Sequence, residues 1–159
     1  MKTFRIFCAM LVCLLCVAPV FSQGQSTKSM QLVRDAVKSN KKALVAVNLK
    51  LTETEEKGFW SLYDSFQGEL DKINERLGSL IVDYAKEFNA NSLSDEKAKQ
   101  LMKDYLASEE DIIKLKKSYL SKFGSVIPGK KVMTYYQLEN KIQAIIRFDL
   151  AGEIPLAQQ

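Results

Sequence analysis

Apolar residues recur at steps of three and four from Met30 to Phe148, and the only prolines after residue 22 are Pro128 and Pro155. This spacing forms one apolar stripe along an α-helix, whereas a half-buried strand alternates with a period of two. Proline is rare inside helices because it lacks an amide donor and clashes with the preceding turn. The pattern therefore predicts an all-α domain.

Four helical segments follow from the stripes and from their end signals. The stripe of the first segment consists of Met30, Val33, Val37, Leu44, Val47 and Leu51. The second runs without interruption to Phe88, which predicts a helix of about 35 residues and near 50 Å. The third covers about Asp95 to Phe123, with a buried side formed by Leu101, Met102, Tyr105, Ile112, Leu115, Tyr119 and Phe123. The fourth covers about Lys130 to Ala151, with Tyr135, Leu138, Ile142, Ile145 and Phe148 on its stripe.

Short turns between these segments predict antiparallel neighbours in a four-helix bundle. The second helix is too long for a compact globule, so we expect an elongated bundle or a long seam between the subunits of a homodimer. Residues 23–151 would form the single helical domain, and residues 152–159 an extended tail.

The first 22 residues have the composition of a secretory leader. Lys2 and Arg5 supply a positive start, residues 6–17 are apolar, and residues 20–22 offer a cleavage site. We therefore expect export to the periplasm without stable membrane insertion. The three cysteines all lie in this leader: Cys8, Cys13 and Cys16. The mature domain must then fold by apolar packing alone.

After residue 22 the chain contains neither cysteine nor histidine. Ser-His-Asp and Cys-His catalysis require those side chains, and a di-iron bundle requires Glu-x-x-His pairs. Glu109, Glu110 and Asp111 suggest a hard-metal cluster, but consecutive helical residues point about 100° apart and do not converge on one ion. A hydrolase with paired carboxylates stays open, although a thin bundle offers few deep clefts. We expect no enzymatic activity, no cofactor and no metal site.

Two phrases predict helix starts. Leu51 precedes Thr52 and Leu93 precedes Ser94, and an acidic first turn follows each hydroxyl residue. Thr52 and Glu55 have the spacing of a reciprocal capping box. Acidic side chains in a first turn also suit the positive end of the helix dipole.

These phrases resemble the repeated Leu-Thr-x-x-Gln motif of the LTxxQ family of periplasmic proteins, which includes Spy and CpxP. The resemblance extends to the helical plan of residues 28–151, although Glu55 and Lys97 stand where the family has Gln, and Ser94 where it has Thr. It implies a Spy/CpxP-like hairpin bundle, forming a curved homodimer that holds unfolded proteins on its concave face without ATP. The family's alternative role, restraint of one envelope-stress sensor, is implied as well. The metal binding of a His-rich branch does not carry over.

Charge is uneven along the helices. Six bases stand against one acid between Lys28 and Lys50, whereas nine acids stand against four bases between Glu53 and Glu87. One interpretation is that these two helices pack with complementary faces. The other is a cationic surface that attracts acidic unfolded chains and binds them weakly. Its candidate client-binding residues are Arg34, Lys38, Lys41 and Lys42, followed by Lys114, Lys116 and Lys117.

Aromatic residues crowd the start of the long helix, at Phe59, Trp60, Tyr63 and Phe66. At helical spacing such residues form a core or a dimer seam, and the alternative is an exposed patch that grips apolar segments. The net charge of +4 is too small to indicate nucleic-acid binding.

Three functional hypotheses remain. The first is an exported, ATP-independent chaperone or envelope-stress protein that binds many unfolded chains. The second is a regulatory accessory that docks on one partner, such as a sensor domain. The third is a structural envelope bundle without a client.

Overall fold

A computed structural model describes residues 40–157 of the 159-residue chain. Contacts divide the chain into two compact units, Met1–Asn40 and Lys41–Gln159, and all described residues except Asn40 belong to the second. The described residues form four helices and no strand: α1 over residues 40–49, α2 over Glu53–Asn89, α3 over Asp95–Gly124 and α4 over Gly129–Glu153. The predicted all-α class is confirmed. The predicted leader, with its cysteines, lies outside the described residues, and the homodimer stays a prediction.

Local capping fixes where α2 and α3 begin. Thr52 accepts a hydrogen bond from the Glu55 amide, and the Glu55 carboxylate accepts one from the Thr52 amide at 2.8 Å, so the reciprocal box is present. Ser94 accepts from the Lys97 amide at 3.2 Å. The Ser94 cap is one-sided, because Lys97 has no acceptor with which to return the bond. α2 then continues for 37 residues, about 55 Å at 1.5 Å per residue.

Side-chain pairs give the direction of each helix. α2 and α3 are antiparallel, since Tyr119 bonds Glu69, Asp111 bonds Arg76 and Lys97 pairs with Asp83. α3 and α4 are antiparallel as well, through the pairs Lys116 with Asn140 and Glu109 with Arg147. The α2–α3 and α3–α4 connections therefore form two successive helical hairpins.

The core lies where the first half of α2, the second half of α3 and the first half of α4 meet. Phe59, Phe66, Phe123 and Tyr135 are almost completely buried there. Phe123 and Tyr135 pack edge to face at a centroid distance of 4.9 Å, a geometry favoured by the ring quadrupoles. The prediction that the aromatic cluster of α2 is core is confirmed, with Trp60 packing against its edge.

The predicted stripe of the first helix is wrong at Leu44 and Val47, whereas Leu51, just beyond the helix, packs against the core. Leu44 and Val47 are exposed, Val47 by 71%, whereas the buried positions are Lys41, Val45 and Leu49. The prediction counted the stripe through Leu51, but the helix ends at residue 49 and Lys50 has a positive φ of 45°. The buried face is therefore displaced around the helix.

The predicted stripes of α3 and α4 hold only in the halves that adjoin the core. Ile112, Leu115, Tyr119 and Phe123 of α3 are buried, and so is Tyr135 of α4. In contrast, the outer halves leave predicted core residues exposed: Met102, Tyr105, Ile145 and Phe148. The buried positions of α2 stop at Ile73, so no helix within residues 40–157 covers these exposed side chains. The outer halves of α3 and α4 therefore present exposed apolar side chains.

Candidate functional site

A cleft of about 260 Å³ lies between α3 and α4, with α2 beneath it. We call it the α3–α4 cleft, and its lining residues are Leu70, Glu109, Ile112, Ile113, Lys116, Asn140, Gln143, Ala144 and Arg147. Leu70 and Ile112 are buried and form its apolar floor. Ile113 and Ala144 are exposed members of the lining, one from each helix. The cleft therefore combines an apolar interior with access to solvent.

Two polar bridges connect α3 and α4 at this cleft. Arg147 donates a hydrogen bond from Nη2 to Glu109 Oε1 at 2.7 Å, and Lys116 donates from Nζ to Asn140 Oδ1 at 2.8 Å. The Tyr136 hydroxyl supports the second bridge, because it donates to the backbone carbonyl of Lys116 at 2.7 Å. These contacts connect the two helices around the cleft.

The two bridges differ in charge. Glu109 neutralises Arg147, whereas Lys116 bonds only the neutral amide of Asn140. Within residues 40–157, no carboxylate forms an ion pair with Lys116. The lining thus contains two cations and one anion, so its charge is positive.

An apolar stripe on α3 extends from the cleft in both directions. Leu106 and Leu120 lie seven residues on either side of Ile113, which is close to two helical turns, and all three are exposed. Met102 continues the stripe one turn before Leu106. We call these four residues the α3 apolar stripe. Glu109 and Glu110 lie between Leu106 and Ile113, and Lys116 and Lys117 lie between Ile113 and Leu120, so the apolar residues are spaced along this face and alternate with charges. Exposed apolar residues that repeat on one helix face are a feature of interaction sites.

The described members of the predicted basic surface do not form one face. Lys41 is wrong as a client-binding residue, because its ammonium is buried in an ion pair with Glu139 and bonds Gln67 as well. Lys42 is exposed, pairs with Asp64 of α2 at 2.9 Å and lies over the Trp60 ring. Lys42 therefore agrees with the interpretation that the first two helices pack with complementary charges. Arg34 and Lys38 lie outside the described residues.

The second basic group consists of Lys114, Lys116 and Lys117, which do not all lie on one side of α3. Lys116 lines the α3–α4 cleft, whereas Lys114 pairs with Glu110 one turn earlier on the same helix. Glu110 raises the pKa of Lys114 through that hydrogen bond, so Lys114 stays charged. Lys117 is exposed and does not line the cleft. Among the predicted site residues within 40–157, Lys116 is the one that lines the α3–α4 cleft.

Sequence reasoning missed most of the cleft, because its lining comes from three helices. Leu70, Ile113 and Ala144 are far apart in the sequence and share no motif. The available signal was the α3 apolar stripe, since a second set of apolar residues outside the buried stripe predicts a second contact surface.

Each residue of the acidic run 109–111 in α3 forms a separate ion pair. Glu109 pairs with Arg147, Glu110 with Lys114, and Asp111 with Arg76 of α2. Throughout residues 40–157, no group of three or more acidic side chains is arranged to hold a metal ion. Burial raises the pKa of Tyr119 and of Tyr136 to about 12, so both hydroxyls stay protonated near neutral pH.

No family model matches the chain, and neither a curated protein nor a solved structure shows significant similarity to it. None of the helices within residues 40–157 is both long and apolar enough to cross a membrane.

Proposed function

We propose that this protein is exported and binds apolar segments of unfolded polypeptides along the α3–α4 face, without nucleotide or metal. The observation that carries the proposal is the exposed α3 apolar stripe, whose residue Ile113 lines an open cleft beside a lysine that lacks an acidic partner. The resemblance of the two capped phrases to the LTxxQ family supports the same function.

The surface suits weak and general binding. Exposed apolar side chains release water when any apolar segment covers them, and this driving force does not depend on sequence. Basic groups beside them increase the rate of encounter with acidic chains, while exposed ion pairs add little to affinity. A client could therefore leave without an energy source, as a holding chaperone requires.

The test is suppression of aggregation by the purified chain lacking residues 1–22. Two unrelated proteins, one acidic and one basic, are unfolded at about equimolar ratio without ATP, and light scattering is recorded. We expect suppression of both. Ile113→Asp should weaken it, because a charge then interrupts the stripe, whereas Val47→Asp on α1 is the matched exposed control. Suppression of neither client by the unsubstituted chain would contradict the proposal.

A regulatory accessory that docks on one folded partner is the second candidate. The observation that favours it is the segment after α4, where Ile154 leaves the helix and Leu156 is 90% exposed. Short extended segments with an exposed apolar side chain are common docking elements. Such a protein would ignore unfolded chains and bind a single domain, and deletion of residues 154–159 would abolish that binding.

A further inference from the structure

The cation at the α3–α4 cleft has unused hydrogen-bonding capacity. A lysine ammonium has three donors, and Lys116 uses one on Asn140. The side chain is partly buried, which makes an uncompensated charge more costly than at full exposure. A carboxylate brought to this position would gain a charge-assisted hydrogen bond without displacing an existing ion pair.

The apolar floor lies next to that cation. The same cleft is lined by Lys116, Leu70 and Ile112. A group bound on the apolar floor therefore lies beside the Lys116 side chain. The volume of about 260 Å³ falls below the roughly 300–1,000 Å³ of typical small-molecule pockets. It therefore suits one large apolar side chain rather than a cofactor or a whole helix.

We infer that the α3–α4 cleft selects extended peptide segments in which an apolar side chain enters the cleft and a nearby carboxylate binds Lys116. This inference rests on the proposed function and names the class of client segment. In an extended peptide, side chains two residues apart point to the same side. The preferred segment therefore carries Asp or Glu two positions from a Leu, Met or Phe.

Charge in the lining supports an acidic rather than a basic segment. The cations Lys116 and Arg147 outnumber the single anion Glu109, and Glu109 is already held by Arg147 at 2.7 Å. A lysine on the peptide would face Lys116 at short range and find no free carboxylate in the lining. Repulsion of this kind contributes to specificity as much as attraction does.

The test uses three labelled, unstructured peptides that share a central Leu. The residues two positions before and after it are Asp in the first peptide, Asn in the second and Lys in the third. Fluorescence anisotropy gives the Kd of each for the unsubstituted protein. We expect the Asp peptide to bind up to about fivefold more tightly than the Asn peptide, as for a partly exposed ion pair worth about 1 kcal/mol. The Lys peptide should bind most weakly.

Three variants locate the effect. Lys116→Gln should make the Asp and Asn peptides bind equally, whereas Lys141→Gln, an exposed lysine of α4 outside the lining, should keep their difference. Ala144→Phe places a large side chain in the cleft from an exposed position and should weaken all three peptides. Circular dichroism and thermal unfolding confirm that each variant is folded.

The outcomes separate this inference from the proposed function. Equal binding of the Asp and Asn peptides to the unsubstituted protein, or a difference that persists in Lys116→Gln, overturns the inference even if aggregation is suppressed. Binding that Ala144→Phe leaves unchanged overturns the cleft as its location. Failure of both the peptide and the aggregation experiments overturns the proposed function with it.

Discussion

Lys41 donates a 2.6 Å hydrogen bond to Glu139, and both side chains are almost fully buried, with residue exposures of 6% and 1%. Gln67 completes the arrangement, because it accepts from Lys41 at 2.7 Å and donates to Glu139 at 3.0 Å. In the part of the chain that the structure describes, no buried side-chain nitrogen or oxygen lacks a hydrogen-bond partner. One buried ion pair therefore connects α1 to α4, with α2 supplying the bridging amide.

Removal of one member of this pair should be strongly destabilising. Glu139→Leu leaves the Lys41 ammonium buried without a counter-charge, and such losses cost about 3–5 kcal/mol. Lys41→Met should have a similar effect through the unpaired carboxylate. Urea denaturation followed by circular dichroism measures both.

The double variant Lys41→Met/Glu139→Leu distinguishes charge burial from packing. It should recover most of the loss, because two apolar side chains replace two buried charges of similar size. If its loss of stability instead equals the sum of the two single losses, the two side chains are not energetically coupled.

Two glycines of α2 should respond oppositely to alanine. A Cβ at Gly58 would lie 2.9 Å from Val126 Cγ1, whereas a Cβ at Gly68 would have no atom within 4 Å. Gly68→Ala should stabilise the fold by about 0.5–1 kcal/mol through helix propensity. Gly58→Ala should be destabilising by about 1 kcal/mol, since the clash outweighs that gain.

Thermal unfolding measures the stability of the two glycine variants. Val126→Ala provides the control for the clash. In the Gly58→Ala background this truncation should restore part of the stability. A stabilising Gly58→Ala would show that Val126 moves aside freely, and the close approach of α2 to the segment after α3 would then have no energetic role.

Local chemistry explains which predictions from sequence succeed. Thr52 and Ser94 lie next to the amides they cap, so residue spacing alone specifies the contacts. The aromatic start of α2 is similar, because large rings at helical spacing are buried wherever any partner helix is available. The starts of α2 and α3 and the all-α class follow from the same short-range rules.

The unsuccessful predictions depend on which neighbour covers each helix. Val47 and Phe148 have the spacing of core residues, but no described helix packs over them. Lys41 carries the charge of a typical surface residue, and its burial depends on Glu139, 98 positions away. The α3–α4 cleft likewise brings together Leu70, Ile113 and Ala144. Sequence periodicity specifies that a face is apolar, but not what is packed against it.

Acid should weaken the connection between the start of α2 and α4. The hydrogen bond from Lys131 at 2.6 Å and that from the Thr52 amide hold the pKa of Glu55 below its ordinary value of 4.5. A depressed folded-state pKa means that the contribution is complete above the unfolded value and is lost as the pH falls through the folded value. Glu55→Gln should therefore lower stability more at neutral pH than at about pH 3, where part of the contribution has been lost.

Chemical denaturation at the two pH values tests this difference. Glu56→Gln in the same helical turn is the matched control, because Glu56 is exposed and is not the residue that Lys131 contacts. Its effect should vary less with pH. An equal loss at both pH values for Glu55→Gln would mean that the Glu55 charge does not contribute.

The Tyr84 hydroxyl connects the segment after α4 to α2. Tyr84 donates from its hydroxyl to the Pro155 carbonyl at 2.8 Å, while Leu156, the next residue, is exposed. Tyr84→Phe removes this bond and keeps the ring, which packs beside Phe88 at 5.8 Å. Because the contact is exposed, we expect a loss of global stability below about 1 kcal/mol.

The protease test measures local opening of the tail. In Tyr84→Phe, trimming of the tail by a carboxypeptidase, measured by mass spectrometry, should become about threefold faster, since local opening governs access to the protease. Tyr105→Phe on the exposed side of α3 is the control and should leave the trimming rate unchanged. Equal rates in both variants would show that the Tyr84 hydroxyl does not hold the tail. Docking of the tail through Leu156 would then not require the Tyr84–Pro155 hydrogen bond to break.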